Sequence, residues 1–245
     1  MADRHSEIIK IDEILTKTWK KIMKKPEALR LLTKVTSIDK RIYGLYLVQI
    51  YNWANHVARS LGLAGANTYI NNKEFMDFAF HHGIEEAGHE LMAINDLRAI
   101  GVPLNNDLSN MPPPLPRTEA LIGYINWIVT GKNPVRSLGF FYWIERPYDH
   151  IRPVVQSVQK ACKLTVDQMS FFYAHEELDQ KHGRDLEAAL VKFCVTEKDW
   201  EEARLIMNMS QTLLIDMIIY ELFPAFDDLK AGKPSRYDIL NQIAY

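Results

Sequence analysis

The chain has 245 residues, 47% hydrophobic and 24% charged, which is enough apolar material for a substantial core and excludes a disordered chain. With 29 Lys and Arg against 31 Asp and Glu, the formal net charge is -2 and the signs are interspersed, which excludes the broad basic surface of a nucleic-acid or anionic-membrane binder. The two cysteines, Cys162 and Cys194, stand in no CxxC-like spacing, so neither a disulfide framework nor a thiolate zinc site is expected.

In chain order, the opening MADRHSEIIK lacks the apolar run of a secretory signal, and no stretch reaches the ~20 uninterrupted apolar residues of a membrane span. A cytoplasmic protein without a membrane partner is expected. Apolar residues then recur at three- and four-residue intervals, which predicts helices at 6–24, 27–35, 38–61, 71–98, 117–131, 135–160, 165–193, 197–230 and 236–244. On the first, Lys20, Lys21, Lys24 and Lys25 read as a solvated face. Ser37 ahead of Asp39 supplies a hydroxyl cap for the third, which carries Tyr43, Tyr46, Gln49 and Trp53 at helical spacing, a stripe that suits either core or a pocket wall.

Helix 71–98 presents a different pattern. At ~100° per residue, His82, Glu85, Glu86 and His89 share one inward face with Phe75, Phe78 and Leu97, where ionisable groups are costly unless something pairs with or coordinates them. Gly101 to Pro116, with Pro103, Asn105, Asn106 and the run Pro112, Pro113 and Pro114, cannot continue a helix and must cross the surface. On helix 135–160, Leu138, Phe141, Tyr142 and Glu145 form one stripe, which predicts a buried glutamate beside the bend at Pro147. Helix 165–193 carries His175, Asp179 and His182 at i, i+4 and i+7, on a face continued by Phe171, Phe172 and Leu186. Thr196 ahead of Asp199 caps the helix at 197–230. With no internal repeat and no linker, the expectation is one all-α domain over 1–245.

Glu86, His89, Glu145, His175, Asp179 and His182 thus offer three imidazoles and three carboxylates, a mixed nitrogen and oxygen shell for two divalent ions with open positions. Glu86 and His89 also match the Glu-x-x-His unit by which bundle helices hold carboxylate-bridged metal pairs. Iron, manganese and zinc all suit such ligands: zinc would point to hydrolysis, iron or manganese to oxidation.

The order and spacing Glu86-x2-His89, Glu145 and His175-x3-Asp179-x2-His182 resemble the heme-oxygenase-like diiron oxidases, within the wider TENA/PqqC-like superfamily. They are similar to those of the fatty-acid decarboxylase that forms terminal alkenes. The last motif is similar to that of the chlamydia-type p-aminobenzoate synthase and of related N-oxygenases and amino-acid-fragmenting oxidases. The resemblance implies a heme-oxygenase-like helical bundle, two iron ions, dioxygen as co-substrate, and a small organic substrate, fatty-acid-like or amino-acid-like, that is oxidised or fragmented. Some members place the first Glu seven residues before the His, where this chain has His82. Glu86 is the expected ligand, with His82 and Glu85 as additional ligands or as partners that orient His89.

Tyr43, Tyr46, Trp53, Phe141 and Tyr142, beside Phe140 and Trp143, are candidates for the substrate pocket, and Arg59 or Arg136 for a substrate carboxylate. Two rivals stand beside this reading. A metal-free thiaminase-like or quinone-cofactor oxidase has a similar bundle, the former with a Cys nucleophile, and a helical binding protein would use the buried polar residues as a hydrogen-bonded network. A homodimer is the common case at this size.

Overall fold

The computed structural model describes residues 4–26, 38–68 and 72–243, with the side chains of residues 148, 149 and 177–180 left outside that description. The helix expected at 27–35 and the Ser37 cap therefore lie outside the described residues. The periodic segments become α1 (Arg4–Ile22), α2 (Arg41–Ala54), α3 (Val57–Ala66), α4 (Lys73–Glu86), α5 (Glu90–Ala99), α6 (Pro116–Val129), α7 (Leu138–Ile144), α8 (Tyr148–Cys162), α9 (Ser170–Phe193), α10 (Glu197–Met217) and α11 (Phe223–Lys230). No strand occurs among the described residues. The fold is all-α, as its apolar periodicity predicts.

Three helices expected to be continuous are broken. Residues 38–61 divide at Asn55 and His56. Residues 71–98 divide between Glu86 and Glu90, where Gly88 adopts φ +99°, a backbone conformation costly for residues with a Cβ. Residues 135–160 divide at Glu145 to Pro147. Two of these breaks fall at candidate ligands, because a chain that stops a helix there can aim adjacent side chains in directions one helix face does not allow.

Other helix ends are held by contacts that local pattern shows only in part. Thr196 and Asp199 cap α10 reciprocally, Thr196 Oγ1 accepting from Asp199 N at 3.2 Å and Asp199 Oδ2 from Thr196 N at 2.8 Å. The start of α9 is capped from another helix: Asp96 of α5, fully buried, accepts from Ser170 N at 2.8 Å, Ser170 Oγ at 2.6 Å and Phe171 N at 3.1 Å. Tyr43 Oη donates to the same carboxylate at 3.1 Å, tying α2 to the junction. Gln49 similarly accepts from Leu115 N and Thr118 Oγ1 at the start of α6, which makes it a structural residue rather than a pocket wall.

Buried apolar side chains from nearly every helix form a connected core. Within it α9 and α10 pack against α7, α3 packs on α4, and α2 packs on α5. The run Glu197–Lys230 passes through a π turn at Ile218–Leu222 and is long and apolar enough to cross a membrane. In this fold 44% of its most apolar window is buried inside the bundle.

Candidate metal centre

The ends of α4, α7 and the middle of α9 meet. Glu86 is the last residue of α4, His89 precedes α5, Glu145 follows the last residue of α7, and His182 lies at the middle of α9. Gly183 lets α9 approach, since a Cβ there would stand 3.0 Å from Arg146 Cδ and 3.6 Å from the Glu145 carbonyl oxygen. His82, Glu86, Glu145 and His182 are all buried, and one ligand atom from each lies within 4.8 Å of the others. Glu86 faces two ways: Oε1 is 2.8 Å from His182 Nδ1 and Oε2 is 3.1 Å from His89 Nδ1. His182 Nδ1 is also 3.4 Å from Glu145 Oε2.

His175 joins from the other side, its ring 4.9 Å from that of His89, with Nδ1 held 2.6 Å from the Phe171 carbonyl oxygen and Nε2 turned from that contact. The backbone of Asp179 belongs to α9, but its side chain lies outside the described residues. Glu85, which sequence spacing offered as an orienting partner of His89, instead stands behind His82 and His182: its Oε2 is 3.7 Å from His82 Nδ1 and 3.6 Å from His182 Nε2. Lys181 holds Glu85 from outside at 2.8 Å.

The electrostatics are those of imidazoles and carboxylates crowded together out of water. Burial pushes His82 and His175 down to about 4, so both rings are neutral at pH 7 with a lone pair to give. Burial also opposes the charged form of His182, but the Glu145 and Glu86 carboxylates outweigh it and push the pKa up to about 10. Burial raises the Glu86 carboxyl, yet the His182 and His89 rings beside it prevail and hold it well below the usual carboxylate range. Glu86 Oε1, His89 Nδ1 and His182 Nδ1 are nonetheless fully buried without an aligned hydrogen bond. Close approach without alignment, in a cluster of nitrogen and carboxylate donors, fits shared coordination of cations better than a satisfied polar network.

A pH effect follows. The raised His182 pKa stabilises the metal-free fold fully below the unfolded value and loses that contribution as pH rises through about 10. Metal uptake requires the neutral ring, so binding near pH 7 releases about one proton from this residue and tightens as pH rises. Calorimetry in two buffers of different ionisation enthalpy checks this: proton release is expected, and a buffer-independent heat would contradict it.

One cavity adjoins the cluster and a second adjoins the first. The inner one, about 770 Å³ with its mouth, is lined by Glu86, His89, Glu145 and His175, together with Trp19, Tyr46, Trp53, Trp143 and Phe171. The outer one, about 980 Å³ with its mouth, is almost wholly apolar among the described residues, with Tyr43, Ile42, Val154, Ile215 and Ile218 on its walls and Lys25 as the single charged residue described there. They share Trp19, Tyr46, Ile151 and Phe172 as walls. Tyr43, Tyr46 and Trp53 therefore line cavities as the sequence suggested, but Phe141 and Tyr142 do not. Both are core residues, and Tyr142 Oη donates to Asp12 of α1 at 2.8 Å, because α7 ends before Glu145 and the stripe that seemed to join them is not continued. Arg59 and Arg136 line neither cavity, and Arg136 lies instead over the Trp127 ring.

Residues 45–216, most of the chain and all of this cluster, match the family of iron-containing redox enzymes. The chain belongs to that family. Comparison with curated proteins gives no match. Among solved structures, this iron-containing redox enzyme is similar to a domain of unknown function with a heme oxygenase-like fold from Shewanella denitrificans OS217, at 31% identity over 94% of this chain and 97% of that one, TM-score 0.86. It also shares its fold with a TenA homolog from Pseudomonas syringae pv. tomato DC3000, at 13% identity over 89% and 93% of the two chains, TM-score 0.70. A TenA homologue from P. horikoshii OT3 gives 12% identity over 86% and 97%, TM-score 0.62. The heme-oxygenase-like bundle implied by the motifs is thus the fold. In this family member the two thiols offer little chemistry: Cys162 and Cys194 are buried, line neither cavity, and are each pushed by burial up to about 12.

Proposed function

We propose that this enzyme holds two iron ions on Glu86, His89, Glu145, His175 and His182, with Asp179, and uses them with dioxygen to oxidise or fragment a small organic substrate. The observation that carries the reading is Glu86, whose two buried oxygens face two different histidines at 2.8 and 3.1 Å, the disposition of a carboxylate that bridges two cations. A bound ferrous pair would supply electrons for the reduction of dioxygen.

The chain's own residues do the rest. Glu85 buttresses His82 and His182 from the far side, and the Phe171 carbonyl fixes the His175 ring, so little reorganisation is needed on metal uptake. Trp19, Tyr46, Trp53, Phe171 and Phe172 keep the inner cavity apolar and restrict water beside the reacting centre. Tyr46 stays a neutral phenol, burial pushing its pKa up to about 12.

The same walls favour a substrate with an apolar body. An amino acid would have to place both an ammonium and a carboxylate in cavities whose outer wall carries only Lys25, whereas an alkyl or acyl chain fits the isoleucine, valine and phenylalanine walls. Oxygen uptake by the Fe(II)-loaded protein, measured with medium-chain fatty acids and with free amino acids, tests this. Fatty acids are expected to accelerate uptake several-fold. Acceleration by amino acids alone would contradict the apolar reading, and iron-independent behaviour throughout would favour a metal-free enzyme or binding protein of this fold.

A further inference from the structure

The cluster is asymmetric in a way that the six-residue motif does not contain. Its closed side is made of His82, Glu86, Glu145 and His182, each at most 5% exposed. Its open side is made of His89 and His175, which line the inner cavity together with Glu86 and Glu145, the two carboxylates that belong to both sides. His82 and His182 line neither of the two cavities described above. We propose that His82 is itself a metal ligand, and that it completes a closed four-residue position that fills first and tightly, while the second ion binds more weakly at the cavity wall.

This rests on the metal-pair reading above and deepens it. Ligand atoms at ~2.1 Å from one ion lie ~3.4 Å apart in a tetrahedral shell, so four atoms already within 4.8 Å need draw in by about an ångström at most pairs to share a cation. Glu85 stands on the outer side of both rings, its Oε2 3.7 Å from Nδ1 of His82 and 3.6 Å from Nε2 of His182, while Nδ1 of His182 faces Glu86 and Glu145. The His82 ring is packed in place, stacked on Phe78 at 5.6 Å and edge-on to His182 at 4.8 Å. A buried imidazole already packed between Phe78 and His182 loses little further freedom on coordinating, which is the physical basis for a tight first step.

The open position differs on each count. Its described ligands are His89 and His175 with the Glu86 and Glu145 carboxylates that it shares with the closed position, and its side toward the cavity leaves room for exogenous molecules. The ion beside the substrate pocket is therefore the exchangeable one, and the ion behind it is its fixed neighbour.

The test is an anaerobic titration of the metal-free full chain with Fe(II), with Co(II) as an optical probe and far-UV circular dichroism to confirm folding. Wild type is expected to bind two ions in two resolved steps. His82→Ala is expected to lose the tighter step, with affinity there reduced by about tenfold or more, and His82→Glu to restore it by supplying a carboxylate. His89→Ala is expected to keep the tight step and lose the weaker one. Azide, which enters open coordination positions, is expected to shift the Co(II) bands of the second step and not the first. Should His82→Ala not fold, His82→Gln carries the same expectation. Two unaltered steps in a folded His82 variant would overturn the proposal while leaving the metal pair standing, as would equal loss of both steps in the His82 and His89 variants. No uptake by wild type would overturn the metal pair itself.

Discussion

Glu86→Ala is expected to abolish binding of both metal ions and, with it, all iron-dependent oxygen consumption. Glu86 sits between His182 and His89 with an oxygen toward either, so on the proposed assignment its truncation would remove a donor from both positions at once. Glu85→Ala, which removes a carboxylate only from behind the His82 and His182 rings, is expected to weaken binding by roughly 10- to 100-fold and not abolish it. The contrast matters because the two glutamates are neighbours in sequence and share net charge. Removing Glu86 also strips His182 of one of two carboxylate partners in a buried setting, a change that costs ~3–5 kcal/mol when an ion pair is broken one-sidedly. Glu86→Gln keeps the volume and is the fitting companion variant. Metal content by elemental analysis of the folded variants decides the point: retention of one ion by both Glu86 variants would show that the carboxylate does not bridge.

The second large effect concerns the packing that presents Glu145. A Cβ on Gly139 would fall 2.0 Å from the carbonyl oxygen of Ala203 and 2.7 Å from its carbonyl carbon, so α7 and α10 touch backbone to backbone there. Gly139→Ala cannot be relieved by rotating a side chain. The helices must part, at a cost of ~3 kcal/mol or more, which for a domain of this size lowers the melting temperature by about 10 °C. Because Glu145 follows α7 directly, the same displacement is expected to weaken metal binding. Ala203→Gly should not rescue the variant, since the clash is with main chain; a Gly139→Ala protein of unchanged melting temperature would contradict this packing.

Legibility in the sequence divides along a physical line. Residue type and period were enough for the helices and for most of the cluster, because ionisable groups at core spacing are costly and stand out against an apolar stripe. A bend was legible at Pro147, though the full break there was not, and nothing marked the break at Gly88, since a lone glycine is tolerated within a helix and only tertiary packing decides whether it adopts a positive φ. Spacing on one helix face put His82 and Glu85 on the same footing, but the packing of α9 beside α4 leaves His82 in the buried cluster and Glu85 behind the His82 and His182 rings. Phe141 and Tyr142 were paired with Glu145 for the same reason: the stripe was extended past the end of α7. Asp96 left no local signal at all, because its partners, the free N–H groups of α9, lie 74 and 75 residues away in sequence.

The central claim is that one chain holds a pair of iron ions between α4, α7 and α9. Its most direct test is anaerobic loading of metal-free protein with isotopically enriched Fe(II), followed by quantification and Mössbauer spectroscopy before and after exposure to oxygen. Two irons per chain, both ferrous at first and then oxidised together as a coupled pair, are expected. At most one iron per chain, or two that oxidise independently without magnetic coupling, would contradict the account.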